Sequence, residues 1–264
     1  MAKRIEMIII DPQCDFCDPN GALYVQGATE DMTRLSSMIK RIGKSISQIH
    51  VTLDSHHRLD VAHPIYWRNS KGEHPDPFTI ISASDVKNGV WVPVFIEKLQ
   101  KMINYTTTLE EGGKYPLCIW PPHCLIGSPG HSVLPILFDT LFEWEARPWI
   151  VNYITKGSNI DTEHYSAVKS EVPEPEDPST LINEDLVRSL EKADIILLAG
   201  EAGSHCLANT GRDIVENFKN KNCIEKITLL TDATSPVTGF EQLQEDFISE
   251  MTEKGMQTTT TIDF

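Results

Sequence analysis

The sequence predicts an α/β fold, a doubly wound three-layer sandwich with a mainly parallel central sheet. Short β-branched runs alternate with amphipathic helical stretches along the chain, and most of these runs are continuously apolar. Such runs are typical of strands whose two faces are both covered by helices. The chain has 264 residues, which suits one domain, since α/β domains often reach about 250 residues. We therefore expect a single domain over residues 1–264.

The predicted elements alternate regularly. The strands, defined by short apolar runs, are expected at 5–10, 49–53, 149–155, 194–199, 227–231 and, from a weaker pattern, 256–262. The helices, defined by amphipathic periodicity, are expected at 31–44, 132–145, 183–192, 206–218 and 241–254. This order of strand, helix and strand predicts parallel pairing through helical crossovers.

Two segments interrupt the alternation, at 57–129 and at the acidic, proline-rich 172–179. Long irregular segments in compact domains are usually functional. We predict an insertion at about 57–119 that forms a lid or an oligomer contact, because it has many aromatic residues for a solvated loop. These aromatics are Trp67, Phe78, Trp91, Phe95 and Tyr105. The alternative is a local core that packs beside the sheet.

Composition argues against several classes of protein. The formal net charge is −15, with 38 acidic and 23 basic residues, which disfavours binding to nucleic acid. No apolar run approaches the roughly 18 to 20 residues of a membrane span, and the first apolar run soon reaches Asp11. We therefore expect a cytoplasmic protein without a membrane partner. Six cysteines are too few for a disulfide scaffold, and redox or zinc chemistry at Cys14 and Cys17 is the less favoured interpretation.

Reactive residues follow the predicted strands. Asp11, Asp54, Lys156 and Cys206 each come at or soon after the end of a strand, and the carboxyl ends of parallel strands meet at one edge of a sheet. Each residue alone has a structural interpretation, as a turn or capping aspartate, a solvated lysine or a buried thiol. Together they suggest a nucleophilic Cys206 at a helix N-terminus, with Asp11 as base and Lys156 holding the negative charges.

A second cluster has the residue types of a metal site. Asp54 and His56 are separated by one residue, and His123 lies in a Trp-Pro-Pro-His-Cys block. A carboxylate with two imidazoles suits Zn, Fe or Mn. Spacing alone does not choose the ligands, because other histidines lie nearby, namely His57, His63, His74 and His131. An interpretation as surface histidines stays open on the pattern alone.

The ordered motifs resemble those of the isochorismatase-like cysteine hydrolases, and within them most closely those of the nicotinamidases. The motifs are the blocks 10–16 (IDPQCDF), 52–56 (TLDSH), 120–124 (WPPHC) with 127–130 (GSPG), Lys156-Gly157, 200–206 (GEAGSHC) and 232–235 (DATS). Each block alone is a weak signal. Their occurrence in family order over nearly the whole chain outside the insertion is specific.

The resemblance implies roles for individual residues. It implies a catalytic triad of Asp11, Lys156 and Cys206, with Cys206 as the nucleophile. It implies a divalent metal, commonly zinc, that binds the pyridine nitrogen of nicotinamide and is held by Asp54, His56 and His123. It also implies aromatic walls from Phe16 and Trp120, a cis peptide at Glu201–Ala202, and an oxyanion hole made by the N–H groups of Ala202 and Cys206.

The sequence also departs from the compact nicotinamidases. The stretch between His56 and His123 is far longer, Ser55 stands where that group usually has tryptophan, and His205 and Leu207 flank Cys206 in place of the usual aromatic residue and valine. The triad lies outside these changes. The resemblance therefore implies the reaction type, whereas the pocket could accept another substrate.

We expect metal-assisted hydrolysis of a small carboxamide, nicotinamide to nicotinate, with release of ammonia, in a homo-oligomer. The alternatives are another small amide, an isochorismatase-type cleavage of a vinyl ether, and a non-catalytic binding protein of the same fold. The isochorismatase reaction needs neither a cysteine nucleophile nor a metal cluster. A binding protein would not need Asp11, Lys156 and Cys206 together.

Overall fold

The structure, a computed structural model, describes residues 3–112 and 115–264. The strands are β1 (Ile5–Ile10), β2 (Ile46–Asp54), β3 (Trp67–Arg68), β4 (Ile80–Ile81), β5 (Val92–Pro93), β6 (Leu117–Cys118), β7 (Asn152–Lys156), β8 (Ile195–Gly200), β9 (Ile227–Leu230) and β10 (Gln257–Thr259). The α-helices are α1 (Cys14–Cys17), α2 (Ala28–Ile42), α3 (Ala83–Lys87), α4 (Leu99–Gly112), α5 (Pro135–Glu145), α6 (Glu184–Lys192), α7 (Cys206–Asn217) and α8 (Glu241–Glu253).

A six-stranded sheet forms the centre of this described part of the chain, in the order β10-β9-β8-β1-β2-β7. Every neighbouring pair in it is parallel. The predicted fold class is therefore confirmed, and each predicted strand has a counterpart in the sheet. The largest differences are at the boundaries. The strand predicted at 149–155 starts only at Asn152, and Trp149 instead stacks on Trp144 with ring centroids 5.0 Å apart.

Helices cover both faces of the sheet. Met7 and Ile9 of β1 pack in a core with α2 and α5, whereas Ile8 and Ile10 pack in a second core with α6, α7 and α8. The alternation follows from the period of two in a strand, which directs successive side chains to opposite faces. These two cores and the sheet between them make the three layers of the sandwich.

The segment between His56 and His123 has a core of its own. It contains the antiparallel pairs β3–β5 and β4–β6 with α3 and α4. Trp67 and Tyr105 are buried in this third core, whereas Phe78 and Phe95 are exposed. The local core that the sequence left as an alternative is therefore present. A role as a lid or an oligomer contact stays a prediction, and residues 113 and 114 of the insertion lie outside the described residues.

The cysteines all carry free thiols. Cys14 and Cys17 stand at the two ends of the short helix α1, and Cys17 is buried in the core beneath it. Over the described ranges, no helix has both the length and the apolar character needed to cross a membrane.

Candidate active site

Four reactive side chains meet at the carboxyl edge of the central sheet. Asp11 directly follows β1, Asp54 and Lys156 are the last residues of β2 and β7, and Cys206 is the first residue of α7, which follows β8. All four are buried. The parallel order β8-β1-β2-β7 brings their strand ends together, as the position of the residues in the sequence predicts.

Lys156 is the centre of this cluster. Its Nζ lies 2.9 Å from Asp11 Oδ2, 3.1 Å from Asp54 Oδ1 and 3.6 Å from Cys206 Sγ. Nζ also donates to the backbone carbonyl of His164 at 3.0 Å. Burial disfavours the ammonium, but Asp11 and Asp54 outweigh it and raise the pKa of Lys156 well above its usual value. The lysine is therefore a fixed positive charge between two carboxylates and a thiol.

Asp11 is held by Thr52 of β2. The Thr52 hydroxyl donates to Asp11 Oδ1 at 2.5 Å and accepts from the Asp11 backbone N–H at 2.9 Å. Burial raises the pKa of Asp11, and the ammonium of Lys156 acts against that rise. Burial likewise raises the pKa of Cys206 well above its usual value, with Lys156 lowering it and Asp11 raising it. The resting Cys206 is therefore a thiol beside a carboxylate, which is the arrangement needed for proton transfer from sulfur to oxygen.

The loop before Cys206 approaches β1 closely. Gly200 has φ +107°, and a Cβ on it would lie 2.2 Å from the Ile10 carbonyl oxygen, so only glycine fits there. The Glu201–Ala202 peptide is cis, as the resemblance implies. No backbone carbonyl of the described residues accepts the N–H of Ala202 or Cys206, and α7 begins without a side-chain cap. These two donors are available to an oxyanion.

Asp54, His56 and His123 together offer a set of metal ligands. One ligand atom from each lies within 4.8 Å of the others, with Asp54 Oδ2 3.0 Å from His56 Nε2 and 3.4 Å from His123 Nε2. The other ring nitrogens are engaged: His56 Nδ1 is 3.0 Å from Asp60 Oδ2, and His123 Nδ1 is 2.8 Å from the Pro121 carbonyl oxygen. Such outer partners orient metal-binding imidazoles, so this donor set fits Zn, Fe or Mn.

His63 is the additional histidine at this cluster. Its ring centroid lies 5.1 Å from that of His56 and 5.4 Å from that of His123. Its Nε2 is buried without a hydrogen-bond partner among the described residues, and burial lowers the pKa of His63 to about 3. Sequence spacing could not choose it from the nearby histidines, because it is brought here by the turn before β3.

The remaining nearby histidines lie elsewhere. His131 Nε2 is 2.8 Å from the Ser55 hydroxyl, which fills the place of the usual tryptophan with a polar contact. His74 Nδ1 lies 2.6 Å from the Trp67 carbonyl oxygen, and His57 is exposed. Neither His57 nor His74 belongs to the cluster of candidate ligands.

A narrow pocket leads to Cys206 and to the candidate metal ligands. Phe16 and Trp120, the predicted aromatic walls, both line it. Its lining comprises Phe16, Leu23, Asp54, Trp120, His123, Glu163, Tyr165, Ala202, His205, Cys206 and Val237. Their role as the aromatic walls of a substrate site stays a prediction.

Two polar residues of this pocket, Glu163 and Tyr165, were not predicted from the sequence. Burial raises the pKa of Glu163 to about 8, and its Oε2 has no hydrogen-bond partner among the described residues. The Tyr165 hydroxyl accepts from Trp120 Nε1 at 3.1 Å. Both lie in the irregular segment after Lys156, where no periodic pattern marks burial.

His205, one of the departures from the nicotinamidase pattern, belongs to an aromatic cluster. It stacks on Tyr115 with ring centroids 5.1 Å apart and meets Trp120 edge-on at 5.3 Å. Burial lowers the pKa of His205 to about 4, so the ring is neutral near pH 7. The pocket wall on this side is therefore aromatic and uncharged.

The chain is similar to known proteins in sequence and in fold. No protein-family model matches the chain. A curated nicotinamidase from Saccharomyces cerevisiae is 23% identical over 234 residues, which cover 88% of each chain.

Two of the similar solved structures illustrate the likeness in fold, and each alignment covers 97% of this chain and 99% of the other chain. The yeast nicotinamidase bound to the inhibitor nicotinaldehyde has 18% identity and a TM-score of 0.66. The pyrazinamidase of Pyrococcus horikoshii in complex with zinc has 17% identity and a TM-score of 0.58. The chain therefore resembles the nicotinamidases in sequence and has their isochorismatase-like α/β fold.

Proposed function

We propose that this protein is a metal-assisted cysteine amidohydrolase that converts nicotinamide to nicotinate and releases ammonia. One observation carries the proposal: the Lys156 ammonium lies within 3.6 Å of Asp11, Asp54 and Cys206, beside an aromatic pocket. The curated relative that aligns over most of the chain is a nicotinamidase. The reaction is hydrolysis of a linear amide C–N bond.

Asp11 acts as the proton carrier in this mechanism. It takes the proton of the Cys206 thiol, and the thiolate attacks the carbonyl carbon of the carboxamide. Protonated Asp11 then gives its proton to the amide nitrogen, and the C–N bond breaks. Ammonia departs, and the acyl group remains on Cys206 as a thioester. Asp11 next deprotonates a water molecule, which attacks the thioester and releases the carboxylic acid, while the proton returns to sulfur.

Fixed charges and dipoles stabilise the intermediates. The N–H groups of Ala202 and Cys206 donate hydrogen bonds to the oxyanion of each tetrahedral intermediate. Lys156 keeps the Asp11 carboxylate in place and offsets the negative charge that alternates between oxygen and sulfur. Because the cluster is buried, water screens these interactions only weakly.

The candidate ligands would hold a metal beside the aromatic pocket. A divalent metal held by Asp54, His56 and His123, with zinc as our proposal for its identity, would bind the pyridine nitrogen of the substrate. Phe16 and Trp120 sandwich the ring and orient the carboxamide towards Cys206.

We also propose that the enzyme works in the cytoplasm as a homo-oligomer on a small-molecule substrate. The net charge of −15 disfavours nucleic acid as a partner. Exposed apolar side chains on α5, including Phe138 and Phe142, support association with a second copy.

The decisive experiment measures ammonia release from nicotinamide, pyrazinamide and benzamide. Benzamide lacks a ring nitrogen, so we expect it to be the poorest substrate. Cys206→Ala should be inactive, and Cys223→Ala, a matched change at another buried thiol, should be active. A folded, metal-loaded protein that releases no ammonia from any of the three amides would contradict the proposal.

A further inference from the structure

A second pair of buried carboxyl groups lies behind the nucleophile loop, which we define as residues 200–206. Glu201 of this loop is fully buried, and Asp31 of α2 is 2% exposed. Neither belongs to the pocket or to the candidate metal ligands. Two buried carboxyls at the centre of a fold require either cations or a shared proton.

Hydrogen bonds tie this pair to the loop at 232–235. The backbone N–H of Ser235 donates to Glu201 Oε2 at 3.1 Å, and the Ser235 hydroxyl donates to Asp31 Oδ2 at 2.6 Å. The Ser235 carbonyl oxygen accepts from the Gly203 N–H at 2.9 Å. The nucleophile loop is therefore attached to Ser235 on both sides of Ala202.

Among the residues that the structure describes, the cation that faces the two carboxyl groups is Arg34. Arg34 pairs with Asp31 and donates from Nε to the Asp232 carbonyl oxygen at 2.6 Å, but its side chain is 41% exposed. A further titratable neighbour is the buried Cys17 thiol of α1, whose pKa is raised by burial and by Glu201. One partly hydrated cation does not neutralise two buried carboxylates, so one carboxyl must keep its proton.

Glu201 is the carboxyl that keeps it. Burial and the neighbouring Asp31 raise the pKa of Glu201 well above its usual value, and a hydrogen bond to Asp31 adds to this rise. Among the described residues, no donor is directed at Glu201 Oε1, as expected for an oxygen that carries a proton itself. A protonated Glu201 would share its proton with Asp31, while its Oε2 accepts from the Ser235 N–H.

We propose that Glu201 is a positioning residue, which as a neutral acid bonded to Asp31 and Ser235 fixes the nucleophile loop so that the Ala202 and Cys206 N–H groups face the substrate carbonyl. This inference rests on the proposed function. The loop has little room to find another support, because a Cβ at Gly203 would lie 1.8 Å from Gln244 Oε1 and 2.7 Å from Thr234 Oγ1. A displaced Glu201 would move Ala202 directly, since the two are neighbours in the chain.

The test compares Glu201→Leu, which removes both hydrogen bonds, with Glu201→Gln, which keeps a neutral donor and an acceptor. Activity is expressed per active site, and active sites are counted by stoichiometric labelling of Cys206 with iodoacetamide. A lower yield of folded protein therefore does not lower the measured kcat. We expect Glu201→Leu to lower kcat at least about tenfold with KM within about threefold, and Glu201→Gln to stay within about threefold of wild type.

Glu6→Leu is the matched control, because Glu6 is an equally buried glutamate at the opposite end of β1. It should lower stability and leave kcat per site unchanged. If Glu201→Leu keeps wild-type kcat per site, the positioning role is wrong. If that variant does not fold, Ser235→Ala serves as the test, because it removes only the hydrogen bond from the Ser235 hydroxyl to Asp31. An unchanged kcat in Ser235→Ala would overturn the proposal, whereas a fall in kcat of about threefold or more would support it.

A substrate-independent measurement separates this inference from the proposed function. The rate of Cys206 alkylation by iodoacetamide depends on the same N–H groups at the start of α7. We expect at least about a fivefold change in that rate in Glu201→Leu and little change in Glu201→Gln. If wild type hydrolyses no amide but this pattern appears, the function is wrong and the positioning role stands; equal alkylation rates in all three proteins would overturn the positioning role.

Discussion

The two ends of β1 each hold a buried carboxylate, and their surroundings differ. At the amino end, Glu6 Oε1 accepts from Arg4 Nε at 2.7 Å, while Oε2 lies 3.0 Å from both His50 Nε2 and the Ser189 hydroxyl. Burial alone would raise the pKa of Glu6, but these partners outweigh it and the pKa is lowered. This carboxylate is saturated with donors and stays ionised.

At the carboxyl end, Asp11 has fewer well-aligned hydrogen-bond donors than Glu6. Its Oδ2 contacts the Lys156 ammonium without a well-aligned hydrogen bond, as does Asp54 Oδ1, and burial raises the pKa of Asp11. A carboxylate with spare hydrogen-bonding capacity and a raised pKa can accept and return a proton, whereas a saturated one stabilises the fold. The two ends of β1 therefore carry two kinds of carboxylate, a structural one at Glu6 and the proposed catalytic one at Asp11.

The largest expected effect is at the nucleophile of the carboxyl end. Cys206→Ala should lower kcat/KM by at least about 10⁴-fold, because covalent catalysis is lost. Initial rates of ammonia release measure it. Full activity in this variant would contradict the role of Cys206 as the nucleophile, and with it the catalytic function of the carboxyl end of β1.

Lys156→Met should be the next most severe change. It leaves Asp11 and Asp54 buried without their cation, which destabilises a protein by about 3 to 5 kcal/mol. Urea denaturation at pH 7 gives the free energy of unfolding, and kcat should fall with it. Equal destabilisation by Lys156→Met and Arg4→Met would argue against a distinction between the two ends, since Arg4 is partly exposed.

Removal of a candidate metal ligand should destabilise the protein less than Lys156→Met does, and it should clearly lower the metal content. Elemental analysis of wild type should find close to one Zn, Fe or Mn per chain. His56→Ala should lose this metal, and its activity should fall by about 100-fold or more. The neighbouring exposed His57→Ala is the control and should retain the metal. A metal-free, fully active wild type would contradict the metal site.

The smallest expected effects concern pH and stability, and they have opposite signs. The lowered pKa of Glu6 contributes stability above its ordinary value of 4.5 that is lost as the pH falls through the folded pKa. The raised pKa of Glu201 contributes stability below 4.5 that is lost as the pH rises through its folded pKa. The free energy lost in Glu6→Gln should therefore shrink in acid, and that lost in Glu201→Gln should shrink in alkali, each by about 1 to 3 kcal/mol. Urea denaturation at pH 4, 7 and 9 measures both, and parallel pH profiles would contradict the assignment.

The sequence predicted the sheet and the residues at its carboxyl edge because both follow from local patterns. Apolar runs located β1 and β8, and the residues that follow strands converge for topological reasons. Such patterns could not assign His63 or Glu163, whose positions depend on the course of irregular segments. The protonated Glu201 was equally hidden, because its partner Asp31 lies far away in the chain and only the packing of α2 brings the two together.

The insertion between His56 and His123 has a thermodynamic consequence. Candidate ligands stand at both of its ends, so a bound ion would cross-link the chain across the whole insertion and remove the entropy of closing that loop from the unfolded state. Ion binding and folding of the third core are then linked equilibria, so the affinity for the ion measures how completely this core is formed. A destabilising substitution deep in that core, far from any ligand, therefore weakens ion binding by mass action.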